Sequence, residues 1–216
     1  MTSHNTKMRH LSGFMIYFLA IGVAAYAAVV YSLFPLGALL HPDMKIAFQA
    51  HSAAVYTHIF ASIAALTLGP FQFFTQGRGK YARLHRLSGR VYLSVGVLLG
   101  GSAGLYIAQF AFGGLLARTG FTLLALGWLS TGFMAYRAIR RGDVQNHRRW
   151  MIRNFALTLA AVSLRIYMPL GLVAGFKFED IYPLIAWLCW IPNLLIAEWL
   201  LMPKTKISNH PQTTDA

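Results

Sequence analysis

Long apolar runs dominate this sequence and set what the chain can fold into. Six segments of about 20 residues or more carry few charges, and an α-helix needs that length to cross the hydrocarbon core of a bilayer. They run over Leu11–Phe34, Ala47–Phe74, His85–Phe112, Leu115–Tyr136, Trp150–Val173 and Ile181–Leu201. Because they take up most of the 216 residues, little chain remains for a domain outside the membrane. The sequence predicts an all-α integral membrane protein, a bundle of six transmembrane helices.

The composition excludes a soluble domain. Hydrophobic residues make up 56% of the chain and charged residues 12%, whereas a soluble domain carries roughly 25% charged residues. The single cysteine, Cys189, lies inside an apolar run. An intrachain disulfide is therefore impossible, and a cysteine-based metal site is disfavoured.

The net charge of +13 is concentrated at the ends of the predicted helices. Cytoplasmic loops of membrane proteins carry an excess of Lys and Arg. With the termini and the loops at 75–90 and 137–153 on one side, that side holds fifteen Lys and Arg. The other side holds only Lys45, Arg118 and Lys177. This predicts cytoplasmic termini, with the lipid bilayer and not nucleic acid as partner of the basic surface.

The chain divides into three predicted parts. Residues 1–10 form a cytoplasmic N-terminal segment, residues 11–202 a single six-helix transmembrane domain, and residues 203–216 a disordered cytoplasmic tail. The first span has an alternative interpretation, because Ala25-Tyr26-Ala27 resembles a signal-peptide cleavage site. The apolar run continues through Leu33, long enough to span, so we expect a retained anchor.

Two His-Arg pairs open predicted helices on the cytoplasmic side. His85-Arg86 opens the third span and His147-Arg148-Arg149 precedes the fifth. Two imidazoles that face each other across a bundle at equal depth are the axial ligands of a b-type haem. We predict His85 and His147 as its iron ligands, with Arg86, Arg148 and Arg149 binding its propionates. The alternative is that both pairs are ordinary interfacial anchors that cap the helices.

Glycine and proline positions predict where helices come close together. Gly89, one turn after His85, would leave room for a flat macrocycle. The glycines between Gly96 and Gly104 read as a packing seam. The Gly69-Pro70 pair should kink the second span, which makes Gln72 a candidate ligand-binding polar group in the bundle.

On the outer side, His51 and His58 are seven residues apart, which predicts one helical face and a separation of about 10.5 Å. Arg165 lies deep in the fifth span with no acid at matching depth, since Glu198 is near the cytoplasmic side and is expected to pair with arginines there. We predict an outward-facing pocket in which Arg165 binds a carbonyl or anionic group and His58 exchanges protons. The alternatives are histidines that only pack, and an arginine bonded to helix carbonyls.

Several of these stretches together resemble an uncharacterised bacterial membrane-protein family, domain of unknown function 2306, which implies a six- or seven-span fold. They are His51 and His58, Gly69-Pro70-Phe71-Gln72-Phe73, Leu84-His85-Arg86-Leu87-Ser88-Gly89-Arg90-Val91-Tyr92, the stretch His147–Ala156, and Arg165. A weaker likeness, by pattern only, is to transmembrane b-type cytochromes that act as ferric or ascorbate reductases. There, four histidines on four consecutive helices hold two haems. Because the fourth span of this chain has no histidine, the likeness implies one haem at most.

Two functions from different classes follow. One is a membrane redox protein, an oxidoreductase or electron-transfer protein that holds haem b and exchanges electrons with a quinone or small acceptor. The other is a transporter or ligand-binding membrane protein whose outward-facing pocket uses His51, His58, Arg165 and Gln72. A third candidate is an assembly partner without chemistry of its own. The sequence has neither a His-Glu-x-x-His motif nor a phosphate-binding glycine loop, so nothing favours a hydrolase.

Overall fold

The computed structural model describes residues 2–38, 41–75 and 79–202, and within them all side chains except those of residues 2–12, 43, 74 and 75. Over these ranges the chain is helical and has no strand. Predictions for Arg78 and for the tail at 203–216 lie outside the described residues. The helices are α1 (Thr2–Leu33), α2 (Pro42–Ala50), α3 (Ser52–Thr75), α4 (Ala82–Val91), α5 (Gly100–Ala108), α6 (Gly114–Arg140), α7 (Val144–Thr158), α8 (Ala160–Val173), α9 (Phe178–Leu188) and α10 (Ile191–Leu201).

Several of these helices join into longer rods. A 3₁₀ turn, Gly79–Tyr81, leads into α4, and a π-helix, Tyr92–Leu99, joins α4 to α5. Among the described residues, five stretches are long and apolar enough to cross a membrane. They are Gly13–Leu33, Ser52–Phe73, Gly79–Ala108, Val144–Val173 and Phe178–Leu201. This confirms a helical, multi-pass membrane protein.

Helix α6 corresponds to the fourth predicted span. Its 27 residues extend over about 40 Å, and it packs against α5, α7 and α9. Small residues on the surface of α6 make these contacts possible, because they let the neighbouring helices approach closely. They include Ala117, Gly120, Gly132 and Ala135, which are all buried. Arg118 and several threonines make α6 less apolar than the other long helices.

The start of the second predicted span differs from the structure. The run Ala47–Phe74 is not one helix, because α2 ends at Ala50 and α3 begins at Ser52. His51 lies in the turn between them, with φ −119° and ψ 32°. The first helix begins at Thr2, earlier than the predicted Leu11, since neither glycine nor proline interrupts the intervening residues.

The glycine-rich part of the third span lies directly against α3. A Cβ atom added at Gly96 would come within 2.9 Å of the Ala65 Cβ, and one added at Gly100 within 2.9 Å of the Ala61 Cβ. Only residues without a side chain allow the two backbones to approach this closely. The predicted packing seam is therefore confirmed.

The bundle has two unlike ends. The basic end contains the 3₁₀ turn and the α6–α7 turn at 141–143, and the far end contains the turns at 34–38, 109–113 and 174–177. The halves next to them are named the basic half and the far half. Among the described Lys and Arg, the basic end carries Lys80, Arg83, Arg86, Arg90, Arg137, Arg140, Arg141, Arg148, Arg149 and Arg153, and the far end carries Lys45, Arg118 and Lys177.

An ion pair joins α7 to α10 at the basic end. The Arg153 Nε donates to the Glu198 Oε1 at 2.5 Å, and the Arg153 Nη2 donates to Oε2 at 2.8 Å. The guanidinium also lies over the Trp150 ring, 4.8 Å from its centroid. The two parallel bonds fix the geometry of the pair. The prediction that Glu198 pairs with an arginine of this end is confirmed.

Candidate functional site

A cavity of about 810 Å³ lies in the far half, between α1, α3, α5, α6, α8 and α9. Its size is typical of sites that hold small molecules or cofactors, roughly 300–1,000 Å³. Most of its wall is apolar. The polar side chains on it include His58 of α3, Arg165 of α8, and Tyr26 and Tyr31 of α1. The structure therefore brings two of the predicted ligand-binding residues to one cavity.

His58 is held by the third span. Its Nδ1 lies 2.9 Å from the carbonyl oxygen of Gly100, and because a carbonyl only accepts, Nδ1 is the donor. In the neutral ring, Nε2 is then an acceptor, and among the described residues it has no hydrogen-bond partner. A Cβ at Gly104 would lie 2.8 Å from the His58 Nδ1, so glycine at 104 is what makes room for the imidazole.

Arg165, on α8, lines the same cavity. It is eight residues before the end of α8, about 12 Å, while His58 is six residues after the start of α3, about 9 Å. Its Nη1 donates to the Ala161 carbonyl at 3.0 Å, which satisfies one of the five guanidinium N–H donors. His58, Tyr31 and Tyr26 line the same cavity as the guanidinium. The alternative interpretation, an arginine bonded to helix carbonyls, therefore applies to one of the five N–H donors of Arg165.

A buried hydrogen-bond network closes the cavity toward the basic half. The Tyr92 hydroxyl donates to the Asn154 Oδ1 at 2.7 Å and lies 2.9 Å from the Thr158 hydroxyl, which accepts from the Trp128 Nε1 at 2.9 Å. The Asn154 amide nitrogen donates to the Trp128 carbonyl at 2.7 Å and to the Thr131 hydroxyl at 2.9 Å. Trp128 and Thr158 line the cavity, so these bonds fix the position of its wall.

Sequence reasoning missed this network and the two tyrosines. A signal was available, because Asn154 and Trp128 lie inside long apolar runs, where a buried polar group needs a partner. Tyr26 and Tyr31 gave less warning, since tyrosine is common near the ends of membrane helices. Only the packing of α1 against α3 and α8, through Ala20, places α1 beside the cavity.

The two histidines of the basic half occupy equivalent positions, each the fourth residue of its helix, α4 or α7. The His147 Nδ1 donates to the Ala135 carbonyl at 2.9 Å. The Gln72 amide lies between α3 and α4, with its nitrogen 3.0 Å from the His85 Nδ1 and its oxygen 2.6 Å from the Ser88 hydroxyl. The surrounding donors and acceptors assign this orientation of the amide.

The gap expected for a macrocycle beside Gly89 is filled. A Cβ at Gly89 would lie 3.2 Å from the side-chain amide of Gln72, and one at Gly69 would lie 2.5 Å from the Phe155 ring. No cluster of three or more metal-ligating side chains occurs in the described part of the chain. Arg86 and Arg148 are exposed and Arg149 is half-buried. At Gly89 the Gln72 amide therefore lies where the open space beside this glycine was predicted.

Two predicted ligand-binding residues do not reach the cavity. His51 does not share a helical face with His58, because the helix breaks at His51. Its ring stacks on Phe110 with centroids 3.7 Å apart, and its Nδ1 lies 3.1 Å from the Tyr106 hydroxyl. Gln72 is buried as predicted, but it lies fourteen residues beyond His58 along α3, about 21 Å, in the basic half.

Comparison with known proteins identifies the family. Residues 55–201, which are 147 of the 216 residues, match the family described as "Predicted membrane protein (DUF2306)". The matched region contains His58, Arg165 and the buried network, while Tyr26 and Tyr31 precede it. No curated protein and no solved structure matches, and the cytochrome likeness gains no support. The chain therefore belongs to the DUF2306 family of predicted membrane proteins.

Proposed function

We propose that this protein binds a small molecule in the cavity of the far half, as a ligand-binding or transport protein of the membrane. One observation carries the proposal: Arg165 and His58 line the same cavity of about 810 Å³. Arg165 uses one N–H on its own helix, and its other donors can bind a carbonyl or anionic group. The apolar wall binds the rest of the molecule.

His58 supplies the acceptor of this site. Because its Nδ1 proton is committed to the Gly100 carbonyl, the neutral ring accepts through Nε2, and protonation of Nε2 turns that atom into a donor. Arg165 therefore binds the polar group of the ligand, and His58 accepts a hydrogen bond or a proton from it.

The test is the ligand that the purified protein retains. Lipophilic compounds that copurify in detergent are measured by native mass spectrometry for the wild type and for Arg165→Leu and His58→Ala. Both variants should lose the bound mass. Arg118→Leu and His51→Ala are the matched controls, since Arg118 is exposed and His51 packs outside the cavity, and both should keep it. Equal retention in all four variants would overturn the proposal.

We also propose that α6 is a sixth transmembrane helix and that both termini are cytoplasmic, in the inner membrane of a bacterium. The unequal charge of the two ends supports this. Reporter fusions at Asp43, Gly114 and Lys177 should read external, and fusions at Gly79 and Gly142 internal. Two or more exchanged readings would contradict this topology.

The redox function with haem b at His85 and His147 stays a prediction. The equivalent positions of the two imidazoles favour it, and the Gln72 amide beside Gly89 argues against it. The absorption spectrum of protein from haem-replete cells decides. A Soret band that disappears in both His85→Ala and His147→Ala would support haem, and a colourless wild type would remove it.

A further inference from the structure

The charges around the cavity are unbalanced. Among the described residues that line it, Arg165 is the only one with a permanent charge, and no Asp or Glu is present. Glu198 is paired with Arg153 at the basic end. An uncompensated cation away from water costs several kcal/mol. An occupant that brings one negative charge relieves this cost, whereas a cationic occupant adds to it.

The polar groups of the cavity lie toward one side of it. His58 and Arg165 are nearer the far end. Eight residues from each toward the basic half are Leu66 on α3, about 12 Å from His58, and Leu157, in the last turn of α7. Both line the cavity. This part of the wall is mostly apolar down to Trp128, and Ser62 and Thr158 are its only hydroxyl residues among the described lining. The cavity therefore suits a molecule with a polar head at Arg165 and an apolar chain that points toward the basic half.

The cavity also reaches the lipid-facing surface. Gly22 and Tyr26 are one turn apart on α1, and both line the cavity. Both are also exposed, Tyr26 by 52%. They belong to the stretch Gly13–Leu33, which is apolar enough to span the membrane, so the opening faces the acyl chains of the bilayer. A ligand that dissolves in the membrane can enter here without crossing water.

We infer that the ligand is a lipid-borne amphiphile with a single anionic headgroup, bound with its oxyanion at Arg165 and its chain toward Trp128. This deepens the proposed function and rests on it. A carboxylate and a phosphate share the chemistry that the guanidinium recognises, and the experiment separates the two.

The position of Trp128 provides the measurement, because bromine atoms quench tryptophan fluorescence on contact. Protein in nanodiscs of neutral lipid is titrated with a dibrominated fatty acid, with the alcohol of the same chain, and with the corresponding alkyl phosphate. Quenching from the bulk bilayer is not saturable, whereas quenching from the cavity saturates. The fatty acid or the phosphate should bind about tenfold or more tightly than the alcohol, since hydrogen bonds to a charged partner are the stronger ones.

Three variants test which residues cause the preference for the acid and the saturable quenching. Arg165→Gln should bring the acid and the alcohol to within about twofold of each other. The matched control Arg118→Gln should leave the preference unchanged, and Trp128→Phe should remove the saturable part of the quenching. If Arg165→Gln does not fold, the comparison of acid with alcohol on the wild type decides alone.

The outcomes separate this inference from the proposed function. Saturable quenching that is equal for acid and alcohol would overturn the anionic headgroup and leave a ligand cavity in place. Tighter binding of the alkyl phosphate than of the acid would support the inference and identify the headgroup of the ligand as a phosphate rather than a carboxylate. If no probe gives saturable quenching, the inference that the ligand is an amphiphile is wrong. The mass-spectrometry experiment on retained ligands then decides separately whether the cavity binds any small molecule.

Discussion

One histidine in each half of the bundle is held in the same way, but the surroundings of the two histidines differ. In the far half the His58 Nδ1 donates to a helix carbonyl, that of Gly100, at 2.9 Å, and in the basic half the His147 Nδ1 donates to another, that of Ala135, at 2.9 Å. His58 lies on an open cavity. The gap that was predicted beside Gly89, one turn after His85, is instead filled by the Gln72 amide. The hydrogen bond that satisfies a buried histidine therefore says little about its function.

Residues other than the histidines decide whether space remains. In the basic half, the Gln72 amide and the Phe155 ring occupy the positions next to Gly89 and Gly69. In the far half, a Cβ at Gly22 would meet nothing within 4 Å. Side chains of neighbouring helices fill the space beside these two glycines of the basic half, whereas the space beside Gly22, at the cavity, is open. Elsewhere the far half is packed, since a Cβ at Gly104 would meet His58. The following predictions test this contrast, in order of expected effect.

The largest effect should come from adding one methyl group at glycines of the two halves. Gly69→Ala places a Cβ 2.5 Å from the Phe155 ring, and overpacking of this kind costs about 1–3 kcal/mol. Gly22→Ala adds a methyl group in open space and exchanges a poor helix former for the best, which should stabilise α1 by up to about 1 kcal/mol.

Unfolding in detergent, followed by circular dichroism against an increasing mole fraction of a denaturing detergent, measures both variants. Because both variants change one glycine of the same protein, they can be compared in the same detergent and lipid. Equal destabilisation by the two substitutions would show that Gly22 at the cavity is packed as tightly as Gly69, and the contrast would fail.

A smaller effect is expected from the wall between the halves. Tyr92→Phe removes the hydroxyl that bonds Asn154 and lies against Thr158, in a residue that is fully buried. Loss of a buried hydrogen bond costs about 1 kcal/mol, and bonds between membrane helices average about 0.6 kcal/mol.

The control is Tyr136→Phe. Its hydroxyl accepts from the Arg140 Nη1 at 3.0 Å on the exposed surface, where such a bond contributes almost nothing to stability. Tyr92→Phe should also weaken binding in the cavity, because Trp128 is held by the same network. If Tyr92→Phe unfolds like the control and binds like the wild type, the network does not define the cavity wall.

The sequence was sufficient to predict a helical, multi-pass membrane protein because the relevant signals are local. Apolar runs of about 20 residues predict the helices, the charge of the loops distinguishes the two ends, and glycines at 96 and 100 predict a close contact with α3. The pairing of Glu198 with an arginine followed from their shared level in the bundle. Each of these depends on one segment or on the order of segments.

The site was only half predictable, for a different physical reason. His58 and Arg165 were found because an ionisable group within an apolar run needs an explanation. His51 was misplaced, because a one-residue break between α2 and α3 has no strong sequence signal without glycine or proline. The filled space beside Gly89 depends on the Gln72 side chain, which comes from another helix. Such contacts between distant segments have no local pattern.

The smallest expected effect is confined to the basic end, at the start of α7. The Asp143 carboxylate accepts from the Asn146 backbone N–H at 3.0 Å and from its side-chain amide at 2.6 Å, and these bonds hold the pKa of Asp143 below its usual range. Since the folded-state pKa is depressed, the cap is complete above the unfolded pKa, near 4. It is lost as the pH falls through the lower, folded-state value. Asp143→Ala should therefore fray the first turn of α7 at neutral pH, whereas Asp143→Asn should not, because asparagine caps equally well.

Hydrogen exchange of the amides in residues 144–147 measures this fraying, with rates corrected for the intrinsic effect of pH. The wild type should lose protection as the pH falls below the usual carboxyl range, and Asp143→Asn should keep it through that window, because its amide does not titrate. His147 lies in this first turn, so its bond to the Ala135 carbonyl should loosen together with the turn.

The cavity is on the other side of the Tyr92 network and shares no hydrogen bond with Asp143. Ligand retention by Asp143→Ala should therefore equal that of the wild type, and a loss of ligand in this variant would mean that the two halves are not independent.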